Sequence, residues 1–257
     1  MTRLTVHREG PGRSAVADTA LSHALLRSVD AREAPESLRL YRPRDAMAFS
    51  LLDRTRPGFG RAVECARLAG FEPILRLAGG RAAVFERHAL AFAWTVPARN
   101  PRAGIRARFE VLASLVARAL CSLGVDARVG EVTGEYCPGE FSVNARGAVK
   151  LMGVGQRVLR SAAHVGGVVV VQGAPRIAAA LEGVYAALGF PLDGSRTGAA
   201  GDEVPGIDAD AVADALLAQI EQFRSVEIGA VPSSIRAQAR RLEPLHTPAG
   251  SDLRPAP

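Results

Sequence analysis

The chain has 257 residues, a formal charge of +6 and a pI near 10.0; 48% of its residues are hydrophobic, 23% charged and 5% aromatic. This composition suits a soluble protein of one sizeable domain, and no apolar run approaches the ~20 residues that span a bilayer. Three cysteines without a CxxC pair or a Cys/His cluster argue against a disulfide framework and against a metal site. The basic residues are scattered, with no stripe that alternates bases with stacking rings, so nucleic acid is not the expected partner. An acidic protein surface is compatible with the charge. The opening "MTRLTVHREGPGR" lacks the apolar core of a secretory signal, and a cytoplasmic location is expected.

In chain order, residues 16–29 place Ala20, Leu21, Ala24, Leu25 and Val29 at helical spacing, with Asp18 as the expected N-cap. "SLRLYRP" alternates as a strand ending at Pro43, and "AMAFSLL" is a second strand. A short helix over 60–70 stops at Gly70. Residues 72–86 give strand, glycine turn, strand, and "ALAFAWTVP" continues the sheet. A basic loop leads into a helix over 105–123, with Phe109, Leu112, Val116, Leu120 and Leu123 as its buried stripe. Three strand-like pieces follow, "ARVGEV", "EFSVNA" and "VKLMGVGQRVL", the last two joined by an "ARG" turn. "HVGGVVVVQG" is a central buried strand. Helices are expected near 175–188 and 208–224. Residues 1–235 then form one domain and 236–257 a flexible tail, polar and aperiodic, of which 240–257 are expected to be dispensable for stability. Adjacent strands with few intervening helices predict an α+β fold with a largely antiparallel sheet, flanked by helices.

Lys150 is the single lysine: of 32 Lys and Arg, the other 31 are arginines. Arginine cannot be deprotonated and presents a wide fork, whereas an ammonium is compact and tunable by burial, so a lysine retained here suggests that the ammonium itself matters. Cys65 and Cys121 fall in helices and are expected to be small core residues. Cys137 lies in a loop before Pro138, thirteen positions before Lys150, where a nearby ammonium would favour a nucleophilic thiolate. In "RLAGGRAAVFE", Gly79 and Gly80 let a ligand approach main-chain N–H groups, with Arg76 and Arg81 beside them to hold an anion; the plain alternative is a hairpin turn with surface arginines. His88 and His164 are expected to be satisfied structural histidines.

Taken in order, these segments resemble the lipoate–protein ligase and octanoyltransferase family. "RLAGGRAAVFE" is similar to its glycine-rich arginine motif, "KLMGVGQR" to its KxxGxAQR segment, and "AAHVGGVVVV" to its HGS-plus-apolar strand. "ADTALSHALL" and "SLRLYRP" match its opening helix and first LRxY strand. The resemblance covers residues 15–225 and implies the biotin/lipoate ligase fold, related to class II aminoacyl-tRNA synthetase cores. It implies an enzyme that attaches lipoyl or octanoyl groups to the target lysine of acidic lipoyl-domain proteins. Such partners are the glycine cleavage H protein and 2-oxoacid dehydrogenase acyltransferase subunits, with acyl carrier protein as a further donor. By position, Lys150 matches the lysine at the acyl carbonyl, Arg76, Gly79, Gly80 and Arg81 the acyl- and nucleotide-side loop, and Gly153 and Gln156 the stretch after the lysine. Cys137 falls where some octanoyltransferases keep their acyl-carrying cysteine, and Glu140 near an acidic position of some ligases. The transferase route needs no tightly bound cofactor; the ligase route needs ATP and Mg²⁺. Departures from the family pattern are Leu75 for the first of two arginines, Phe85 for a histidine, and Val165, beside His164, at the HGS histidine. The other class the sequence allows is a catalytically degenerate member that binds or relays lipoyl domains.

Overall fold

The computed structural model describes residues 2–248. Eleven strands form two sheets. The strands are β1 (Thr2–Glu9), β2 (Ser37–Tyr41), β3 (Ala46–Phe49), β4 (Glu72–Leu75), β5 (Ala83–Phe85), β6 (Leu90–Pro97), β7 (Ala127–Val129), β8 (Val143–Ala145), β9 (Val149–Val158), β10 (Ala162–Val169) and β11 (Arg224–Ile228). The large sheet has the order β11-β1-β2-β6-β10-β9-β8-β7, and the small one β4-β3-β5. Pairing in the large sheet is antiparallel except at one edge, where β1 runs parallel to both β11 and β2. The α+β architecture expected from the sequence is the one found.

Helices α1 (Ala15–Asp30), α2 (Phe59–Leu68), α3 (Ile105–Ser122), α4 (Ala174–Leu188), α5 (Ala200–Glu203), α6 (Ala209–Glu221) and α7 (Ser233–Leu242) cover the sheets. Leu112, Val116 and Leu120 of α3 and Leu216 and Ile220 of α6 bury one face of the large sheet, against Leu38, Leu40, Phe92, Leu151 and Val165. Phe109 and Leu123 are only half-buried. The opposite face is covered by α1 and by the small sheet, whose own core forms with α2 and α4. No helix among the described residues is long and apolar enough to cross a membrane.

Four local expectations change. The N-cap of α1 is Ser14, whose Oγ accepts from the Ala17 amide at 3.1 Å; Asp18 sits in the first turn instead. There Asp18 pairs with Arg39, which is only 1% exposed and also binds Glu9 at 2.5 Å. Residues 72–86 are not a hairpin: β4 and β5 flank β3 on opposite sides, so the glycine segment is a loop crossing the end of β3. Period-two alternation identifies strands but not their partners. Cys121 is exposed, not a core residue. By contrast the "ARG" turn is a tight hairpin, with Arg146 and Gly147 both at positive φ.

The fourth change concerns the tail. Residues 233–242 form α7, which packs Ile235, Ala239 and Leu242 onto Ala20, Leu21, Ala24 and Leu25 of α1. The i, i+4, i+7 spacing of those three residues is the signal, masked by the three arginines of the helix. Arg236 binds Glu9, extending the buried Arg39 network to the surface. Beyond it, His246 Nδ1 faces the Leu75 carbonyl at 2.7 Å, which fixes the proton there. Nε2 is then free to accept from His23 Nδ1–H at 3.0 Å. The remainder of the expected tail, 249–257, lies outside the described residues. Ending the chain after residue 232 exposes Leu21 and Leu25 and removes the buried Ile235 and Leu242, each worth about 1.5–3 kcal/mol. At ~2–4 °C per kcal/mol, thermal denaturation is expected to show a fall in Tm of more than about 10 °C.

Candidate active site

The site lies where the Arg76–Ala82 loop, the 132–142 loop and β9 meet. Its framework is ionic. Lys150, 1% exposed, donates to Glu135 Oε1 at 2.9 Å and to the carbonyls of Tyr136 and Cys137 at 2.9 and 2.8 Å. An ammonium has three protons, so all are placed. Its charge also lies 4.8 Å from the centre of the Tyr136 ring. The Glu135 side chain is fully buried and accepts in addition from Ser142 Oγ, the Val132 amide and the Gly139 amide. One carboxylate and one ammonium therefore define the course of the loop between them.

That loop presents Cys137 with φ +42°, a left-handed conformation that a non-glycine residue adopts only when its surroundings enforce it. The Cys137 amide donates to Tyr185 Oη at 2.6 Å, and Tyr185 donates on to the Ala82 carbonyl. The half-buried thiol receives the Arg81 amide at 3.3 Å and Arg76 Nη2 at 3.5 Å. Burial alone would raise its pKa. The Arg76 guanidinium, the Lys150 ammonium and the two hydrogen bonds outweigh burial and hold it below the ordinary thiol value. Gly80 makes this approach possible: its φ is +95°, and a Cβ there would lie 2.8 Å from Sγ and 2.7 Å from Arg76 Nη2.

Two cavities meet at Cys137. The inner one runs between the large sheet and the small one. It is lined by Ile74, Ala83 and Phe85 on one side and by Gly153, Gly155, Gly166 and Val168 on the other, with His164, Tyr41 and Ser22 farther along. Gly155 lets the loop lie close, since a Cβ there would be 2.7 Å from Ala78 Cβ. The outer cavity, about 420 Å³, is lined by Gly79, Gly80, Phe109, Glu140, Phe141, Lys150 and Gln156. Phe109 and Phe141 stack there at 5.2 Å.

The structure thus gathers Lys150, Cys137, Arg76, Gly79, Gly80, Arg81, Gly153, Gln156 and Glu140 around one centre. Their side chains are not equally available. Gln156 binds Arg108 and the Ile105 carbonyl, anchoring the start of α3. Glu140 is exposed and held by Arg106. Arg81 lies over the Phe190 ring at 4.3 Å. His88 is exposed and lines neither cavity. His164 does line the inner cavity, and its Nδ1 is buried without a partner, so it is not the satisfied histidine expected from the sequence. Val165, one residue on, faces the opposite core. Glu135 and Tyr185, which hold the cysteine loop, carried no sequence signal beyond their residue type.

A half-buried thiol flanked by cations thus stands at the mouth of a narrow, largely apolar cavity between the two sheets. The chain belongs to the lipoyl protein ligase A/B catalytic domain family, whose model matches residues 14–220. It is 27% identical over 151 residues to the octanoyl-[GcvH]:protein N-octanoyltransferase of Geobacillus kaustophilus, a match covering 59% of this chain and 53% of that one. It is 24% identical over 147 residues to the lipoyl-[GcvH]:protein N-lipoyltransferase of Listeria monocytogenes, covering 57% and 52%. The matches therefore span about half the length of these curated relatives. Among solved structures, a lipoate-protein ligase A bound with ATP shares the fold with a TM-score of 0.77 at 19% identity, over 95% of both chains.

Two measurements check the electrostatics. Iodoacetamide alkylation followed against pH is expected to show Cys137 reacting at lower pH than Cys65 or Cys121, and Arg76→Ala is expected to move its midpoint upward. Lys150→Met strands the Glu135 carboxylate, an expected loss of about 3–5 kcal/mol in denaturant unfolding, and Lys150→Met/Glu135→Gln is expected to recover part of it.

Proposed function

We propose that this chain transfers a lipoyl or octanoyl group onto the target lysine of a lipoyl domain, through a thioester on Cys137. The observation that carries the reading is the placement of that thiol, with a lowered pKa, where a narrow inner cavity meets an open outer one. The inner cavity is narrow and its lining is largely apolar, which suits the end of a medium acyl chain. The outer one is wide enough to admit the lysine arm of a partner protein.

The chemistry balances without a redox step. The Cys137 thiolate attacks the acyl carbonyl of the donor, the new C–S bond forms as the donor's acyl bond breaks, and the donor leaves as a thiolate or, from an amide, as an amine that takes up one proton from water. The neutral amine of the target lysine then attacks the thioester, the amide forms with release of one proton to water, and Cys137 leaves as thiolate. Lys150 is proposed to stabilise the oxyanion in both steps. It lies beside the cavity at Gly153, and a carbonyl oxygen of the substrate can replace the Cys137 carbonyl among its three acceptors. Arg76 favours the thiolate over the thiol, and the Arg81 amide orients it.

The relatives named above act on GcvH. The proposed partners are accordingly lipoyl-domain proteins, the glycine cleavage H protein among them, and their acidic surfaces suit a chain of charge +6. An adenylating route receives less support, because the outer cavity offers a triphosphate few unpaired cations. Arg106 is held by Glu110 and Glu140, Arg108 by Gln156 and the Pro101 carbonyl, and Lys150 by Glu135.

Intact-mass spectrometry decides between the routes. With octanoylated H protein or octanoyl-carrier protein and no ATP, the wild-type chain is expected to gain one octanoyl group and pass it to a lipoyl domain. Cys137→Ser is expected to gain none and to lose transfer by at least 10²-fold, the scale set by removing a nucleophile. Transfer by Cys137→Ser that depends on added ATP would establish a ligase and remove the thioester from the mechanism.

A further inference from the structure

Tyr185, on α4, is fully buried in the core that α2 and α4 form with the small sheet, among Phe49, Phe71, Leu181 and Leu188. A phenylalanine would fill the same space, and Phe190 packs edge-on against the ring at 6.1 Å. The hydroxyl is therefore a polar group that packing does not require, in a place where an unmet polar atom is costly. Both its lone pair and its proton are engaged. It accepts from the Cys137 amide at 2.6 Å and donates to the Ala82 carbonyl at 2.9 Å. Burial pushes the phenol well above its ordinary value, so near pH 7 the hydroxyl keeps its proton and remains a donor.

The two partners lie on different loops, and each adjoins the sulfur. Ala82 follows Arg81, whose amide donates to Cys137 Sγ at 3.3 Å and whose carbonyl accepts from Arg76 Nη2 at 2.5 Å. The bonds close a ring. It runs from the Cys137 N–H to Tyr185 Oη, on to the Ala82 carbonyl, back along the chain to the Arg81 amide, and from there to Cys137 Sγ. The thiol is thereby fixed relative to its own backbone by a side chain 48 residues away. The peptide between Tyr136 and Cys137 is held at both ends, its carbonyl by Lys150 and its N–H by Tyr185. Holding that peptide restrains the left-handed φ of +42° at Cys137. When a substrate carbonyl displaces the Cys137 carbonyl from Lys150, these two bonds remain.

We infer that Tyr185 is the positioning residue of Cys137, its hydroxyl holding the thiol against the Arg81 amide and the Arg76 guanidinium. Its part in acyl transfer rests on the reading that Cys137 is the nucleophile. Tyr185 lines neither cavity, so it acts through the cysteine and not on the acyl group. Without the hydroxyl the Cys137 amide loses its partner, the loop shifts to find another, and the sulfur loses its alignment with both donors.

The test reads the thiol directly and needs no acyl transfer, so it stands apart from the function it rests on. Cys137 in the full chain is alkylated with iodoacetamide across pH and followed by peptide mass mapping. Tyr185→Phe, which keeps the ring, is expected to raise the midpoint by about half a unit, as the thiolate loses part of its stabilisation. With octanoyl-carrier protein as donor, the same variant is expected to form acyl-enzyme about tenfold more slowly at saturation, with KM unchanged. Val184→Ala, next to it on α4 and equally buried, removes packing and leaves the hydroxyl. It is expected to lower Tm and leave the midpoint in place. An unchanged midpoint in Tyr185→Phe overturns the inference, as does an equal shift in Val184→Ala, which makes Tyr185 a packing residue only. In the wild type, with no substitution, the Cys137 amide is expected to be protected from hydrogen exchange, and exchange at the rate of an open loop overturns the inference too. A shifted midpoint in a chain that transfers no acyl group supports the positioning role and removes the thioester reading alone.

Discussion

The buried pair of Lys150 and Glu135 is the contact on which the site depends. Neither charge reaches water, so each is tolerable only because the other is present and because backbone and hydroxyl groups complete the shell. The pair joins β9, a strand of the large sheet, to the loop that carries Cys137. It thereby fixes the left-handed backbone at the cysteine, and with it the distance from the thiol to Arg76 and to the Arg81 amide. An arginine fork could not thread the same three acceptors, two of them successive carbonyls. This gives a physical reason for a lysine in a chain that otherwise uses arginine.

The cavity depends on a different constraint, the alternation of β10. Val165 and Val169 face the α3/α6 core, while His164, Gly166 and Val168 face the opposite side. Glycine at 166, opposite glycine at 155, leaves a channel where a Cβ would otherwise run into the His164 ring and into Ala78 of the glycine loop. The small sheet closes the channel without sharing hydrogen bonds with the large one, so the space between them is set by side chains alone.

Much of this was readable in the sequence, and the exceptions have identifiable causes. Strands with clear alternation or β-branched runs, such as β6, β9 and β10, were found, as were α1, α3, α4 and α6. Strands β1 and β11, at one side of the large sheet, are not legible because each carries only two apolar residues among polar and charged ones. α7 was missed because its buried stripe is three residues wide and the rest is polar. In the site, Lys150 announced itself by being unique, Cys137 by lying outside a helix, and Gly79–Arg81 by composition. Glu135 did not, since an acidic residue in a loop is ordinarily solvated and only the tertiary structure buries it. The sequence predicts a satisfied role for His164 because most buried histidines have partners, and whether a ring nitrogen meets one is decided by neighbours far away in sequence.

The edge of the large sheet has a kinetic consequence. β1, at the start of the described chain, pairs along its length with β11, which ends at Ile228, and Gly229 adds a further backbone bond to Val6. Until residue 228 has left the ribosome, β1 has one open flank and no partner on that side, although β2 follows it closely. Closing a loop of this size is entropically slow, and the nascent sheet waits with Leu4 and Val6 incompletely covered. Assembly of the edge is therefore a late event. An intermediate with an unpaired strand is the species on which chaperones and aggregation would compete.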